Sequence, residues 1–234
     1  SFDGGVLLLA LIYFSFQIYC DFSGYSDIAI GTSKLFGFEL MSNFKYPYFS
    51  SNPNQFWDRW HISLTSWLRD YIYNPLALNI IRKGNSFFYL NVALVITWFF
   101  TGLWHGANYT FIAWGMYWCL ILLIYKYIKS PNKVRTKLMS LVNIFFMNLI
   151  VMFSWIFFRS ETILDAFNFL VGIVTRISMP GGKIGGLLFI FLIIIFDWIF
   201  KSNERQVIKL VLFKNYKINK IINVIICYFL FFMI

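Results

Sequence analysis

The stretch FFYLNVALVITWFFTGLWHGANYTFIAWGMYWCLILLIYKYI, residues 87–128, decides the fold because it holds two apolar runs joined by one short turn. Residues 87–103 and 109–128 each approach the length of about 20 apolar residues that a membrane-spanning helix needs. The turn between them contains Trp104, His105 and Gly106, and an ionisable side chain in such surroundings costs free energy. Histidine also has the unperturbed pKa best suited to proton transfer near neutral pH, so His105 is the first candidate for function.

The composition predicts a protein with several membrane-spanning helices. Of the 234 residues, 59% are hydrophobic and only 13% are charged, with a mean hydropathy of +0.68. Soluble domains carry about 25% charged residues. The net charge of +10 does not indicate nucleic-acid binding, because the basic residues cluster in short loops between apolar runs, as cytoplasmic membrane loops do.

The remaining apolar runs predict an all-α, polytopic helical bundle with re-entrant and interfacial helices. We expect further spans over residues 5–19, 138–158, 186–200 and 221–234, and a tilted or re-entrant helix over residues 163–177. The basic stretches 126–137 and 201–220 are expected on the cytoplasmic side, which puts the His105 turn towards the outer half of the membrane. We expect one domain over residues 1–234, and a fragment that lacks the N-terminal part and the last helix end of a longer protein.

Two polar regions interrupt the apolar pattern. Asn52 predicts an N-cap, followed by one amphipathic helix that carries His61 on its aromatic face and ends at Asn74-Pro75. In the stretch 21–27, Ser23 and Asp27 fit a loop that starts a helix, and the alternative is a lining role in an aqueous cavity.

Most other chemistries lack their sequence signals. The three cysteines have no paired spacing, and the two histidines stand 44 residues apart without the spacing of a metal site. The chain also has no phosphate-binding loop and no nucleophile elbow. A histidine acting as a base on an incoming hydroxyl remains feasible. The structural alternatives are an interior hydrogen-bonded His105, an interfacial His61, and solvated or ion-paired charges at Arg59, Arg69 and Asp70.

Four blocks of sequence, in order, resemble the membrane-bound O-acyltransferase family, in its bacterial alginate O-acetylation branch. They are QIYCDFSGYSDIAIG (17–31), FWDRWHISL (56–64), WLRDYIYNPL (67–76) and TGLWHGANYTFIAWG (101–115). Cys20 and Asp58 depart from the residue types common at their positions. The resemblance implies a many-helix bundle with a tunnel, in the bacterial cytoplasmic membrane. It also implies a complete protein roughly twice as long as this chain.

The same resemblance implies a catalytic site. His105 would take the proton of an acceptor hydroxyl as its oxygen attacks a thioester carbonyl, and His61 would position or polarise a reactant. The expected donor is acetyl-CoA or an acyl carrier thioester, with no tightly bound cofactor or metal, and the expected acceptor is an exported polysaccharide or a relay protein. The expected substrate-binding residues are Trp104, Asn108, Arg59, Trp60, Arg69, Asp70, Asp21, Ser23 and Asp27. The alternative function is a transporter or channel in which the histidines gate protons or ions.

Overall fold

The computed structural model describes residues 3–82, 87–128, 136–179 and 184–200, and the regular structure in these ranges is helical without strands. This confirms the predicted all-α fold. The α-helices of this part of the chain are α1 (Gly4–Leu35), α2 (Pro53–Trp57), α3 (Ile62–Leu68), α4 (Asn74–Arg82), α5 (Phe87–His105), α6 (Tyr109–Ile128), α7 (Lys137–Arg159), α8 (Ile163–Thr175) and α9 (Gly186–Phe200).

Three of these helices, α1, α6 and α7, are long and apolar enough to cross a membrane. The spans predicted at 109–128, 138–158 and 186–200 match α6, α7 and α9 to within one residue, and α5 ends at His105, two residues beyond its prediction. The predicted helix 221–234 and the basic stretch 201–220 lie outside the described residues, as does most of the basic connection between α6 and α7.

The predicted loop at residues 21–27 is wrong, because α1 continues through it for 32 residues to Leu35. Ser23 does not cap a helix; its hydroxyl donates a hydrogen bond to the Cys20 carbonyl within α1, at 3.4 Å. A serine inside a helix can satisfy its hydroxyl in this way without interrupting the backbone. No proline precedes Pro47, so nothing in this stretch removes a backbone donor from the helix.

The single amphipathic helix predicted after Asn52 is also wrong. The cap itself is confirmed, since the Asn52 side chain accepts a hydrogen bond from the Gln55 backbone N–H at 3.0 Å. However, α2 ends at Trp57, and the chain turns before α3 begins at Ile62. His61 therefore stands at the N-cap of α3, with a left-handed φ of 45°, and not on the face of a continuous helix.

Asn74-Pro75 does not end the helical segment as predicted. A π-helical turn, Arg69–Tyr73, follows α3 and leads directly into α4 at Asn74. Proline lacks the N–H that a regular helix needs, and its ring collides with the carbonyl four residues earlier. In a regular α-helix, Pro75 would collide with the turn before it. That turn is a wider π-helical turn here, so the chain remains helical past the proline.

The core is a dense aromatic cluster that joins the turn between α2 and α3 to helices α5, α6 and α7. The Phe56 ring stacks on Trp118 of α6 with centroids 5.2 Å apart, and Trp60 packs against Trp155 of α7 at 5.1 Å. Trp57 meets Trp98 of α5 at 4.8 Å. Aromatic side chains bury a large apolar area each, so this cluster fixes the turn against the helices.

Helices α5 and α6 pack closely because glycine stands at their contact. A Cβ added at Gly115 of α6 would collide with the backbone carbonyl of Trp98, and one added at Gly102 of α5 would collide with that of Phe111. Backbone atoms cannot move aside as a flexible side chain can. The two glycines therefore set the spacing of the helix pair that carries His105.

We expect Gly115→Ala to destabilise the full-length protein by about 1–3 kcal/mol, because the added methyl group overpacks the α5–α6 contact. Thermal unfolding in detergent measures the effect. Gly31→Ala is the matched control: this helical glycine has open space around its Cβ position, and alanine favours a helix. An equal unfolding temperature for Gly115→Ala and wild type would contradict the close packing.

Candidate active site

The turn that carries His61 is held by a neighbouring extended segment. The Lys45 N–H donates to the Arg59 carbonyl at 2.9 Å, and the Ile62 N–H donates to the Asn43 carbonyl at 3.0 Å. The Asn43 side chain also accepts a hydrogen bond from the Ser63 hydroxyl at 2.6 Å and donates to Ser26 of α1 at 3.3 Å. These bonds fix the turn against α1 from both sides of His61.

His61 occupies a conformation that its sequence alone would not favour. A left-handed φ is uncommon for a residue other than glycine, and such strain persists only where the surroundings enforce it. The imidazole packs edge-to-face on Phe22 of α1, with centroids 4.7 Å apart. Burial lowers the pKa of His61 to about 4, so the imidazole is neutral at pH 7.

His105 lies at the last residue of α5, inside an aromatic cage. Its ring is 4.9 Å from Trp114 of α6, nearly perpendicular at 85°, and 5.1 Å from Phe158 of α7. Trp104 lies between the two histidines, 4.9 Å from the His105 ring and 6.1 Å from the His61 ring. Helices α5, α6 and α7 together therefore orient His105.

Both histidines line one cavity of about 270 Å³. This confirms the expectation that His105 lies beside a cavity within reach of His61. Along α5 the wall runs from Leu94 to His105 on one helix face, a distance of about 16 Å at 1.5 Å per residue. The cavity is therefore elongated, with His105 at one end of the α5 wall.

The surface of the cavity is mainly apolar, with aromatic side chains forming much of it, and several polar residues also contribute to the lining. The Thr97 hydroxyl donates a hydrogen bond to the Ala93 carbonyl at 2.8 Å, and the Thr101 hydroxyl donates one to the Thr97 carbonyl at 2.7 Å. Both bonds lie within α5. The other polar lining comes from the region between α2 and α4, namely Asn54, Asp58, Thr65, Arg69 and Tyr73. A mainly apolar lining of this kind lowers the local dielectric constant and strengthens electrostatic interactions beside it.

Four of the sequence-predicted site residues line this cavity: His61, His105, Trp60 and Arg69. Arg69 also forms a half-exposed ion pair with Asp70, whose carboxylate is 3.5 Å away. Exposed pairs of this type contribute little to stability, so Arg69 can exchange its partner at small cost. Arg59 lies half-buried in the turn, where its carbonyl accepts the bond from Lys45.

The other predicted residues do not line the cavity, although the Trp104 ring contacts both histidine rings. Asp21 borders a second, more open concavity along α1, next to Gln17 and Tyr25. Ser23 bonds within α1, and Asp27 lies further along the same helix. Asn108 caps the start of α6, accepting from the Thr110 N–H at 3.1 Å and donating to the Glu161 carbonyl at 2.7 Å.

Several lining residues were not predicted as site residues from the sequence. On α5 they are Leu94, Thr97, Trp98 and Thr101, which share one helix face with His105. The sequence shows this helical spacing, but α5 is hydrophobic on all sides. The sequence therefore does not indicate which face of α5 lines a cavity. Trp57 and Trp114 also line the cavity, and only the packing of α2 against α6 brings them there.

Comparison with known proteins identifies the family of this chain. Residues 6–161 match the family described as MBOAT, membrane-bound O-acyltransferase family. The chain is 46% identical over 160 residues to "Probable alginate O-acetylase" of Pseudomonas fluorescens, covering 68% of this chain and 31% of that protein. It is 37% identical over 166 residues to "Peptidoglycan O-acetyltransferase" of Helicobacter pylori, covering 69% of this chain and 30% of that protein.

A more distant relative is "Teichoic acid D-alanyltransferase" of Bacillus subtilis, 31% identical over 129 residues, which cover 54% of this chain and 33% of that protein. The chain thus spans about a third of the length of the curated relatives it matches. The matched residues 6–161 include α1 to α7 and hence both histidines and the cavity between them. The apolar helices and these matches together show that this is a multi-pass membrane protein and that the chain belongs to the membrane-bound O-acyltransferase family.

Proposed function

We propose that the whole protein transfers an acyl group, in the first place acetyl, from a thioester to a hydroxyl of an exported cell-envelope polysaccharide or of a relay protein. The observation that carries this proposal is the shared cavity of His61 and His105. The matched relatives support the reaction class, because their names describe acetyl or alanyl transfer to cell-envelope polymers. We place the protein in the bacterial cytoplasmic membrane, since these relatives are bacterial.

His105 is the proposed catalytic base. Its neutral imidazole accepts the proton of the acceptor hydroxyl while that oxygen forms a bond to the thioester carbonyl carbon. The C–S bond then breaks, and the imidazolium returns the proton to the leaving sulfur, so that an ester and a free thiol result. The aromatic cage formed by Trp114 and Phe158 supports this role, because it keeps the ring oriented and largely free of water.

His61 is the proposed positioning group opposite His105. The hydrogen bonds of Asn43 hold its turn to α1 and α3, and Phe22 supports one side of its ring. A neutral imidazole can donate one hydrogen bond and accept another, which suits alignment of either the hydroxyl or the thioester. Holding two reactants in the attack geometry supplies a large part of the acceleration in transfer reactions.

The elongated cavity is the proposed chamber for the donor arm. Acetyl-CoA and an acylated carrier protein both present their thioester at the end of a long, thin, flexible chain. The apolar wall along α5 suits such a chain, and the polar lining that includes Arg69 suits its amide and phosphate groups. No tightly bound cofactor is needed, because the thioester itself provides the activated acyl group.

The remaining predicted residues are proposed to contact substrate around this chamber. Arg59, Trp60, Asp70 and Trp104 belong to the elements that surround the histidines. Asp21, with Ser23 and Asp27 on the same helix, is proposed to meet the acceptor along the open side of α1, and Asn108 is proposed to act at the loop after His105.

The test uses the full-length protein in native membranes with its exported polymer. Membranes receive either acetyl-CoA labelled in the acetyl group or a carrier protein loaded with a labelled acyl group. We expect label in the polymer or in a relay protein from one of these donors, and release of the corresponding thiol. Absence of transfer from both donors, in membranes where the protein is present and folded, would overturn the proposal.

A further inference from the structure

The acyl-transfer step creates a need that the two histidines do not meet. As the hydroxyl oxygen bonds to the carbonyl carbon, the carbonyl oxygen gains negative charge in a chamber with a mainly apolar lining. Enzymes stabilise such an oxyanion with pre-positioned hydrogen-bond donors, and this is often the largest single contribution to the rate. His105 is engaged with the proton, and His61 is already proposed to align the hydroxyl or the thioester, so a further donor has to come from another cavity-lining group.

The threonines nearest to His105 on its helix face are not free to donate. Thr97 and Thr101 already give their hydroxyl protons to backbone carbonyls of α5. Arg69 belongs to the π-helical turn and is already proposed to meet the amide and phosphate groups of the donor arm. Among the described residues that surround the His105 ring itself, the aromatic contacts are with Trp104, Phe111, Trp114 and Phe158.

Trp114 has the donor that is required. It lines the cavity, lies 4.9 Å from the His105 ring, and is 1% exposed. Its indole nitrogen is buried and has no hydrogen-bond partner within the described part of the chain. Buried donors are nearly always paired, so an unpaired one in a residue that lines the cavity is a candidate partner for a ligand.

Trp57 provides a second donor of the same kind. Its ring centroid lies 5.9 Å from that of Trp114, it also lines the cavity, and its indole nitrogen is likewise buried without a partner among the described residues. Two neutral N–H donors stabilise an anion that forms only in the transition state, and they hold the neutral carbonyl oxygen less strongly beforehand.

We propose that the indole N–H of Trp114, assisted by that of Trp57, donates a hydrogen bond to the carbonyl oxygen of the bound thioester and stabilises the oxyanion formed during acyl transfer. This inference rests on the proposed function. In the step itself the C–O bond forms as the hydroxyl proton passes to His105, and the charge rests on the carbonyl oxygen beside Trp114. Collapse of the intermediate breaks the C–S bond, and the leaving sulfur takes the proton back from His105. Trp114 is a catalytic residue by this assignment, and it neither gains nor loses its own proton.

The test compares full-length Trp114→Phe with Trp118→Phe. Trp118 is the matched control because it is 0% exposed, lies in the same aromatic cluster, and also has an unpaired indole nitrogen, but it stands behind the cavity wall. We expect Trp114→Phe to lower kcat by about 100-fold with little change in the KM for the donor. Trp118→Phe is expected to keep kcat within about threefold of wild type, although both changes remove the same ring area and the same N–H.

Replacement of Trp114 by 3-benzothienylalanine keeps the ring size and removes only the N–H, which guards against a variant that fails to fold. The same loss of kcat is expected. Wild-type kcat in this variant, or equal losses in the two tryptophan variants, would overturn the inference. His105→Ala is assayed alongside: full activity there would contradict the proposed function itself, whereas an inactive His105→Ala with a fully active benzothienylalanine protein would contradict only the role of Trp114.

Discussion

Replacing His105 with glutamine in the full-length protein is expected to lower kcat for acyl transfer by about 1,000-fold. Glutamine has a comparable length and can still form hydrogen bonds, but it cannot accept the proton of the acceptor hydroxyl. The cage of Trp114 and Phe158 should retain its shape around the substitute. Steady-state transfer from labelled donor in membranes of equal protein content measures the loss.

The control for His105 is Phe111→Leu. The Phe111 ring lies 6.2 Å from the His105 ring, and its replacement disturbs the packing without removing a base. Activity of this variant within about threefold of wild type would show that the loss in His105→Gln is chemical. Undiminished acyl transfer in His105→Gln, with unchanged thermal stability, would remove His105 from the mechanism.

Replacing His61 with asparagine is expected to lower kcat by about 100-fold while leaving the fold intact. Asparagine tolerates a left-handed φ better than most residues, so the turn between α2 and α3 should keep its path. Its amide reaches only the position of the imidazole Nδ1 and places no hydrogen-bonding atom where the imidazole has Nε2. The kcat of acyl transfer and the unfolding temperature are measured on the same preparation.

A parallel variant, His61→Val, separates the backbone from the side chain at this position. A β-branched residue is poorly suited to φ of 45°, and we expect a loss of stability of about 1–2 kcal/mol in addition to the loss of activity. If His61→Asn transferred acyl groups at the wild-type rate, the conformation of the turn would be structural and the proposed role of the His61 ring would be wrong.

The long helices were predictable because their signal is local. The apolar runs of α6, α7 and α9 are bounded by polar or glycine residues, and the sequence places the first residues of these helices to within one residue. The N-cap at Asn52 was readable for the same reason, since a capping side chain acts on a backbone group only three residues away.

The turn at His61 was not predictable from local pattern. The aromatic residues from Trp57 to Tyr71 have helical spacing, but Trp57 and Trp60 are buried while Trp67 and Tyr71 are exposed. The helix is interrupted at residues 58–61, and this turn lets Trp57 and Trp60 enter the core. The turn is stabilised by hydrogen bonds with Asn43 and Lys45, which are distant from it in sequence. The continuation of α1 past Asp21 was missed because charged residues suggested a loop, whereas a long helix can present them on an exposed side.

The site depends on the same long-range packing. Both histidines and the ordered motifs were recognisable in the sequence, but the cavity is formed by faces of α3, α5 and α6 that no single segment defines. The unpaired donors of Trp57 and Trp114 emerge only when the partners of every buried polar atom are known.

The central claim is that acyl transfer takes place in the cavity shared by His61 and His105. The most direct measurement is a structure of the full-length protein bound to a stable donor analogue in which a methylene group replaces the thioester sulfur. We expect the analogue's arm to lie along the α5 wall and its carbonyl carbon to lie between the two histidine rings. An analogue bound in another part of the protein, with the histidine cavity empty, would contradict the claim.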